Sequence, residues 1–263
     1  MAVIQTNILS MILKRNMDCT VVLPDNIKQD EKPLKVVWLY HGSSGDHKAW
    51  LYHVPIAGYA NERHIAFVLP NVHESCFVDM NIGAKYGRYV GKELPQIIWK
   101  MFPVLSKIRE DNYVAGYSNG GYGCFHTALT YPEYYGMVGA FSAGDKADAD
   151  FPNDGGAKSI HRIRLFGEGD LNQNAYGLKY IGNQLINQNR VKPIIYHACG
   201  GRDPWLEANH IMRDYFLARQ EYYQYTYDEI AELGHEWKFW DEELNRFLDF
   251  AGIGETDENS TSQ

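Results

Sequence analysis

The chain has 263 residues, of which 45% are hydrophobic and 22% are charged, as in a globular protein rather than a disordered one. This length suits one α/β domain with a sizeable core. The net charge of -8, with no basic cluster, argues against nucleic acid as a partner. No apolar run approaches the roughly 18 residues needed to span a bilayer, so we expect no membrane partner.

The N-terminus and the cysteines bear on the compartment. The first residues lack the charged region, apolar core and small-residue cleavage site of a secretory signal. Four scattered cysteines contain no C-x-x-C pair, which favours buried reduced thiols over zinc ligands or disulfides. We therefore predict a cytoplasmic protein. Whether a leader peptide was removed beforehand is left open. The oligomeric state is also left open, and it includes a homo-oligomer.

The first half of the chain opens with two β-rich runs that predict an antiparallel hairpin at a sheet edge. A charged, turn-rich loop follows, and then apolar runs typical of strands covered on both faces. The predicted elements are the hairpin strands 4–13 and 19–23, a strand at 36–40, a helix around 50–61, a strand at 65–70 and a helix at 92–102.

The second half alternates strands with helices, interrupted by one irregular stretch. Residues 144–174 lose periodicity, which predicts a functional or mobile segment. The other predicted elements are a strand at 113–116, a helix from Ser118 to Pro132, a strand at 137–142, a helix near 178–186, a strand at 193–198, a helix at 206–219, a strand at 222–230 and a final helix that buries Phe239, Leu244, Phe247 and Leu248.

Strands that alternate with helical crossovers predict a mostly parallel sheet with helices on both faces. The N-terminal hairpin fits the antiparallel edge of that sheet. We predict the α/β-hydrolase fold in a single domain over residues 1–252, followed by a polar, disordered tail over residues 253–263.

Residues 116–120 carry the central motif, Gly-Tyr-Ser-Asn-Gly, between a strand and a helix. This is the Gly-x-Ser-x-Gly pattern of a nucleophile elbow, in which the serine lies on a strained turn with its hydroxyl exposed. Gly116 and Gly120 leave room where the strand and the helix pack closely. We predict that Ser118 is a catalytic nucleophile.

A serine nucleophile needs a histidine base, and the fold places that base after the acid, just beyond a strand. His235 follows the last predicted strand directly, in Leu-Gly-His-Glu, and is our predicted base. The competing histidines after Ser118 fall within predicted helices, within a strand or in the irregular segment, and they are His126, His161, His197 and His210.

The acid that orients the histidine has two candidates. Asp203 lies in a Gly-Gly-Arg-Asp-Pro turn directly after the strand at 193–198. Asp170 is the rival, but the run before it is more charged and less strand-like. We favour Asp203, although either aspartate could instead satisfy local backbone amides in a turn.

An oxyanion hole needs two backbone N–H donors aimed at the developing negative charge. One is expected from Asn119, directly after the nucleophile, and the other from the turn after the strand at 36–40. Ser43 in that turn is the predicted second donor, and Gly42 lets the chain approach closely.

Other site types have weaker support. His41, Asp46 and His47 raise the question of a metal, but no hydrolase-type ligand spacing accompanies them. No Gly-x-Gly-x-x-Gly or P-loop pattern occurs. We therefore expect neither a metal nor a cofactor.

Four motifs together resemble the esterase D / tributyrin esterase family, which is similar to S-formylglutathione hydrolases and to acetyl or feruloyl carbohydrate esterases. They are residues 39–47, residues 115–123, residues 199–203 and Gly234-His235. The resemblance implies a triad of Ser118, Asp203 and His235, with oxyanion donors at Ser43 and Asn119. Many members of the family carry methionine where this chain has Asn119, so the polarity of the acyl pocket is expected to differ.

These observations predict a cofactor-independent serine carboxylesterase that acts on short-chain acyl esters through an acyl-enzyme. Alternatives on the same fold are an S-formylglutathione hydrolase and an acetyl or feruloyl carbohydrate esterase. An acyltransferase is the next alternative. A binding protein with a decayed site is the remaining one, and an intact triad argues against it. A small-molecule or saccharide ester is the expected partner.

Overall fold

A computed structural model describes residues 1–28, 31–148 and 156–254. Within these residues the strands form one sheet in the order β1-β2-β4-β3-β5-β6-β7-β8. The strands are β1 (Ala2–Ser10), β2 (Arg15–Leu23), β3 (Val36–Tyr40), β4 (Ala66–Pro70), β5 (Asn112–Tyr117), β6 (Met137–Phe141), β7 (Ile194–Gly200) and β8 (Tyr225–Ile230).

Helices connect most of the strands. They are α1 (Ala49–His53), α2 (Ile56–Glu62), α3 (Tyr86–Arg88), α4 (Leu94–Met101), α5 (Asn119–Thr130), α6 (Ala157–Phe166), α7 (Leu178–Asn187), α8 (Leu206–Leu217) and α9 (Trp237–Phe250). A π-helical turn (Tyr89–Glu93) joins α3 to α4, and short 3₁₀ turns occupy Arg109–Asp111 and Leu171–Gln173.

The sheet is antiparallel only at its N-terminal edge. β1 pairs with β2, and β2 pairs with β4, in antiparallel register, whereas every later pairing from β4 through β8 is parallel. The predicted α/β-hydrolase architecture, with a mostly parallel sheet and an N-terminal edge hairpin, is therefore confirmed.

Both faces of the sheet are covered, because alternate residues of the central strands enter two separate apolar cores. In β3, Val36 and Trp38 pack into one core and Val37 and Leu39 into the other, and all four are at most 1% exposed. α5 packs on the first face and α9 on the second. This burial on both sides explains why the parallel strands appear in the sequence as continuous apolar runs.

The helix predicted around residues 50–61 is interrupted by Pro55. α1 ends before this residue and α2 begins after it. Proline lacks an N–H and disfavours helical geometry in the residue before it. Val54 is accordingly extended, with φ -131° and ψ 139°. The single predicted helix was wrong, and Pro55 was the signal against it.

Several predicted elements have other bounds; the hairpin strands predicted at 4–13 and 19–23 are Ala2–Ser10 and Arg15–Leu23. The helix predicted from residue 92 starts with α3 at Tyr86 and continues through the π-helical turn into α4. Pro95 lies in the first turn of α4, directly after the π-helical turn, so the helical run passes through a residue that has no N–H to donate. The strand predicted from residue 222 begins at Tyr225.

The segment 144–174 is more regular than predicted, because α6 lies within it. The helical pattern of α6 is weak in the sequence, since Ser159 is buried and Ile160 is 53% exposed. The prediction of an irregular segment is therefore wrong for α6, while residues 149–155 lie outside the described residues.

The end of the packed chain lies slightly beyond residue 252. Ile253, the first residue of the predicted tail, is 2% exposed, and its N–H donates to the Leu248 carbonyl at 3.0 Å. Residues 255–263, where disorder was predicted, lie outside the described residues. The division into one domain and a tail stays a prediction.

Candidate active site

The predicted site residues meet at one edge of the sheet because β3, β5, β7 and β8 are parallel, with their carboxyl ends on the same side. Ser43 lies in the turn after β3, and Ser118 directly follows β5. Asp203 follows β7 and His235 follows β8. Ligands of open α/β sheets bind at this edge, outside the carboxyl ends of the strands.

Ser118 occupies a strained turn between β5 and α5. Its φ of 56° and ψ of -122° lie in a region that residues with a side chain rarely adopt. The Ser118 N–H donates to the Phe141 carbonyl at 2.9 Å, and its own carbonyl accepts from the Tyr122 N–H at 3.0 Å. Hydrogen bonds to β6 and α5 therefore hold the strained backbone in place.

The two elbow glycines stand where a side chain would collide with backbone. A Cβ added to Gly116 would lie 2.6 Å from the Gly120 carbonyl oxygen. A Cβ added to Gly120 would lie 2.4 Å from the His41 carbonyl oxygen and 2.6 Å from that of Tyr40. The structure thus contains the crowding that the sequence motif predicted at both positions.

We expect Gly120→Ala to lower the free energy of unfolding by about 3 kcal/mol, because rigid backbone atoms must move to admit the Cβ. Helix propensity alone favours alanine by about 1 kcal/mol, so the steric term must dominate. Gly58→Ala in α2 is the matched control, since its nearest neighbour, the Pro55 Cβ, is 3.8 Å away. Urea unfolding should show a loss for Gly120→Ala and a small gain for Gly58→Ala. Equal stability of the two variants would contradict the steric argument.

The side chains of Ser118, His235 and Asp203 form a continuous hydrogen-bonded chain. Ser118 Oγ lies 3.0 Å from His235 Nε2, and His235 Nδ1 lies 2.8 Å from Asp203 Oδ2. Both distances fall within the range required of a nucleophile, its base and the group that orients the base. The ring can therefore carry its proton on Nδ1 and accept the serine proton at Nε2.

Asp203 is held as a buried carboxylate. Its side chain is fully shielded from solvent, and its Oδ1 accepts the Trp205 N–H at 2.8 Å. Burial acts to raise the pKa of this carboxyl. Hydrogen bonds from His235, from the Trp205 N–H and from the Ser142 hydroxyl outweigh that effect and lower the pKa below its usual range. The group is therefore charged at neutral pH and can stabilise a protonated imidazole.

The rival acid, Asp170, lies away from the histidine. It is exposed and caps the 3₁₀ turn at Leu171–Gln173, where its Oδ1 accepts the Asn172 N–H at 2.9 Å. This is the local turn role that the sequence left open for either aspartate. The structure brings Asp203, and not Asp170, to His235.

The competing histidines take other positions, namely His126 in α5, His161 in α6, His197 in β7 and His210 in α8. His197 illustrates a structural role. Its Nδ1 lies 2.8 Å from the Tyr225 hydroxyl and its Nε2 lies 2.8 Å from Asn209 Oδ1. Burial lowers the pKa of His197 to about 4, so this ring is neutral.

The predicted oxyanion donors come from the first turn of α5 and from the turn after β3. Asn119 begins α5, and the first N–H groups of a helix have no intrahelical partner. Within the described part of the chain, neither the Asn119 N–H nor the Ser43 N–H donates to a protein acceptor. The Asn119 side chain connects α5 to the turn after β3, since its Nδ2 donates to Ser43 Oγ at 2.5 Å.

A small polar cavity of about 110 Å³ opens over the nucleophile. It is lined by Ser43, Ser118, Asn119, Ser142, Gly144, Asp145, Lys146, Trp205 and Ala208. Three of these side chains bear on the chemistry and were not singled out from the sequence, namely Ser142, Lys146 and Trp205. Their position in the sequence could have identified them, because Ser142 and Lys146 follow the carboxyl end of β6 and Trp205 follows the carboxyl end of β7.

Ser142 contacts the predicted acid, Asp203, through its side chain. Its hydroxyl hydrogen-bonds to Asp203 and accepts the Trp240 Nε1–H at 3.2 Å. The Ser142 backbone is left-handed, with φ 53°, and its N–H donates to the Ala198 carbonyl at 2.8 Å. α9 and β7 thereby fix the position from which this hydroxyl reaches the Asp203 carboxylate.

The residues considered for a metal do not converge on one point. His41 is buried, with Nδ1 2.8 Å from the Gly42 carbonyl oxygen and Nε2 accepting the Val72 N–H. Over residues 1–28, 31–148 and 156–254, no group of three or more His, Cys, Asp or Glu side chains is placed to hold a metal ion. Across the same residues, no helix combines the length and apolar character needed to cross a membrane.

Comparison with known proteins gives matches over most of the chain. The family model described as "Putative esterase" matches residues 10–250. An acetyl esterase of Caldicellulosiruptor saccharolyticus is 30% identical over 259 residues, which is 91% of this chain and 94% of that protein.

Solved structures of serine hydrolases are similar over nearly their whole length. The substrate-bound fluorophosphonate-binding serine hydrolase F of Staphylococcus aureus has a TM-score of 0.84 and 27% identity, covering 95% of this chain and 98% of that one. An S-formylglutathione hydrolase of the same organism has a TM-score of 0.81 and 27% identity, with the same coverage. These matches confirm the resemblance inferred from the motifs. The chain belongs to this esterase family of α/β hydrolases and is a serine carboxylic ester hydrolase.

Proposed function

We propose that the protein hydrolyses short-chain acyl esters through an acyl-enzyme formed on Ser118. The observation that carries the proposal is the chain of hydrogen bonds from Ser118 Oγ through His235 to the buried Asp203 carboxylate. The acetyl esterase among the relatives is consistent with a short acyl group. The acyl group would occupy the polar cavity of about 110 Å³ over Ser118.

The proposed reaction has two halves. Ser118 Oγ attacks the ester carbonyl carbon while His235 Nε2 accepts the hydroxyl proton, and Asp203 stabilises the imidazolium that forms. The Ser43 and Asn119 amides stabilise the oxyanion. His235 then donates the proton to the departing alcohol. In the second half, water loses a proton to His235 and attacks the acyl carbon. The proton returns to Ser118 Oγ as the carboxylic acid leaves, and the acid then ionises in solvent.

The test is covalent trapping combined with a chain-length series. A fluorophosphonate probe should add to the tryptic peptide that carries Ser118, and p-nitrophenyl esters should show kcat/KM falling from acetate or butyrate towards octanoate. Labelling of another residue would contradict the proposed nucleophile. An optimum at octanoate would contradict the preference for short acyl groups.

A second candidate is hydrolysis of a thioester such as S-formylglutathione. It is favoured by the similarity to a structure of that activity at 27% identity over 95% of this chain. The same triad can cleave a thioester, because attack occurs at the same carbonyl. The test compares p-nitrophenyl esters, S-formylglutathione, and feruloyl and acetyl esters of saccharides as substrates. A kcat/KM at least tenfold higher for one class would identify it, and acyl transfer to an added alcohol that outcompetes hydrolysis would identify a transferase.

We also propose a cytoplasmic location. The four cysteines, Cys19, Cys76, Cys124 and Cys199, are all buried and unpaired. Free thiols of this kind fit a reducing compartment, because disulfides persist mainly in oxidising ones. Cell fractionation with an antibody to the protein tests this proposal.

A further inference from the structure

Lys146 introduces a positive charge into the cavity over the nucleophile. Its Nζ donates to Asn119 Oδ1 at 2.8 Å and lies 5.4 Å from the centroid of the Tyr122 ring. Asn119 in turn donates to Ser43 Oγ. The ammonium group is therefore held in place by the residue that follows Ser118, and not by a chance surface contact.

The Lys146 ammonium makes no salt bridge among the described residues, although the Asp145 carboxylate lines the same cavity and interacts with it electrostatically. The neighbouring Asp145 carboxylate accepts the backbone N–H groups of Ala147 and Lys179, at 3.0 and 3.1 Å, instead of the ammonium. An ammonium group has three N–H donors, of which the bond to Asn119 uses one. A partly buried cation that has unused donors and makes no direct ion pair with the described residues favours binding of an anion, even in a chain of net charge -8.

The cavity lies on the acyl side of the scissile bond. The leaving alcohol must reach His235 Nε2, because that atom returns the proton to it. Among the described residues, His235 is not part of the cavity lining, whereas Ser43, Asn119 and Lys146 are. The acyl chain of a bound ester therefore extends away from His235 and towards Lys146.

We propose that Lys146 binds a carboxylate at the far end of a short acyl group, so that the preferred substrates are half-esters of small dicarboxylic acids. This inference rests on the proposed esterase function and narrows its substrate class. Hydrolysis follows the same two steps and consumes one water to give the dicarboxylate and the alcohol. The anionic end of the acyl group pairs with Lys146 Nζ while the carbonyl oxygen occupies the oxyanion hole.

The experiment compares monoethyl succinate with ethyl 4-methylpentanoate, which has the same shape but two methyl groups in place of the carboxylate oxygens. Hydrolysis of both is followed by product chromatography with the full-length native chain. We expect kcat/KM to favour the half-ester by at least about tenfold, which is the usual effect of one charge-assisted hydrogen bond. The preference should weaken as ionic strength rises.

Three variants separate charge recognition from a structural role. Lys146→Met should abolish the preference, mainly by raising KM for monoethyl succinate. Lys146→Arg should retain a large part of the preference, because the cation is kept. Lys100→Met, at an exposed position on α4, removes the same net charge elsewhere and should leave the preference unchanged. If Lys146→Met slows both esters equally, the side chain only positions Asn119 and the inference is overturned.

The outcomes also distinguish this inference from the proposed function. If the native chain hydrolyses the neutral ester at least as well as the half-ester, the esterase function stands and the role of Lys146 is overturned. If it hydrolyses neither these esters nor p-nitrophenyl acetate, both the proposed esterase function and the role of Lys146 are overturned. A Lys146-dependent preference for 3-acetoxypropionate, whose carboxylate is on the alcohol, over the half-ester would overturn the assignment to the acyl side.

Discussion

Ser118→Ala is expected to lower kcat for p-nitrophenyl acetate by about 10⁶-fold, since removal of the nucleophile in a serine triad has an effect of this size. The hydroxyl is the only group of the triad that forms a bond to the substrate carbon. The proposed oxyanion donors at Ser43 and Asn119 are backbone amides that the substitution leaves in place, so a residual rate above that of water is expected. The measurement is initial-rate kinetics at saturating substrate.

The fold of this variant should be unchanged. Alanine keeps a Cβ at the strained φ of 56°, so the turn between β5 and α5 neither gains nor loses room. A melting temperature equal to that of the native chain would show that lost activity reflects lost chemistry. Activity within tenfold of native in a folded Ser118→Ala protein would exclude Ser118 as the nucleophile.

Asp203→Asn is expected to lower kcat by about 10⁴-fold, with KM little changed, because the wrong imidazole tautomer is then favoured. An asparagine Nδ2 at the place of Oδ2 would donate to His235 Nδ1, from which it would lie near 2.8 Å. The ring proton then moves to Nε2, which can no longer accept the proton of Ser118. Steady-state kinetics of a folded variant would show this loss.

Asp170→Asn is the matched control for that substitution. It makes the same chemical change at the rival aspartate, which is exposed and caps only a local 3₁₀ turn. We expect native kcat and KM from it. If Asp170→Asn reduced kcat and Asp203→Asn did not, the proposed acid would be wrong.

Much of this site could be predicted because its residues form short patterns along the chain. The crowding at Gly116 comes from the Gly120 carbonyl inside the motif. The crowding at Gly120 comes from the carbonyls of Tyr40 and His41, but both glycines lie two residues from Ser118 and so appear as a short motif. The parallel strands are buried on both faces and appear as apolar runs. In this fold the serine, the acid and the base follow one another along the chain. That order indicated His235 as the base and left Asp203 and Asp170 as candidates for the acid.

Other predictions failed where the deciding signal was weak or lay outside the segment. α6 has a buried serine and an exposed isoleucine, so its periodicity did not indicate a helix. The helix near residues 50–61 was predicted as one piece although Pro55 divides it, because apolar residues continue on both sides of the proline. Neither error lies in the turns that carry the triad.

The sequence by itself determined the elbow, the strands that lead to the predicted catalytic turns and the identity of the predicted nucleophile and base, because each is marked by a motif, a periodicity or an order along the chain. Only the tertiary structure showed that Asp203, and not Asp170, contacts His235, and only it showed that Lys146 contacts Asn119. Those contacts join residues 27 to 32 positions apart in the chain, and which turns meet across the sheet depends on strand order and helix packing. Short patterns of sequence do not encode that arrangement.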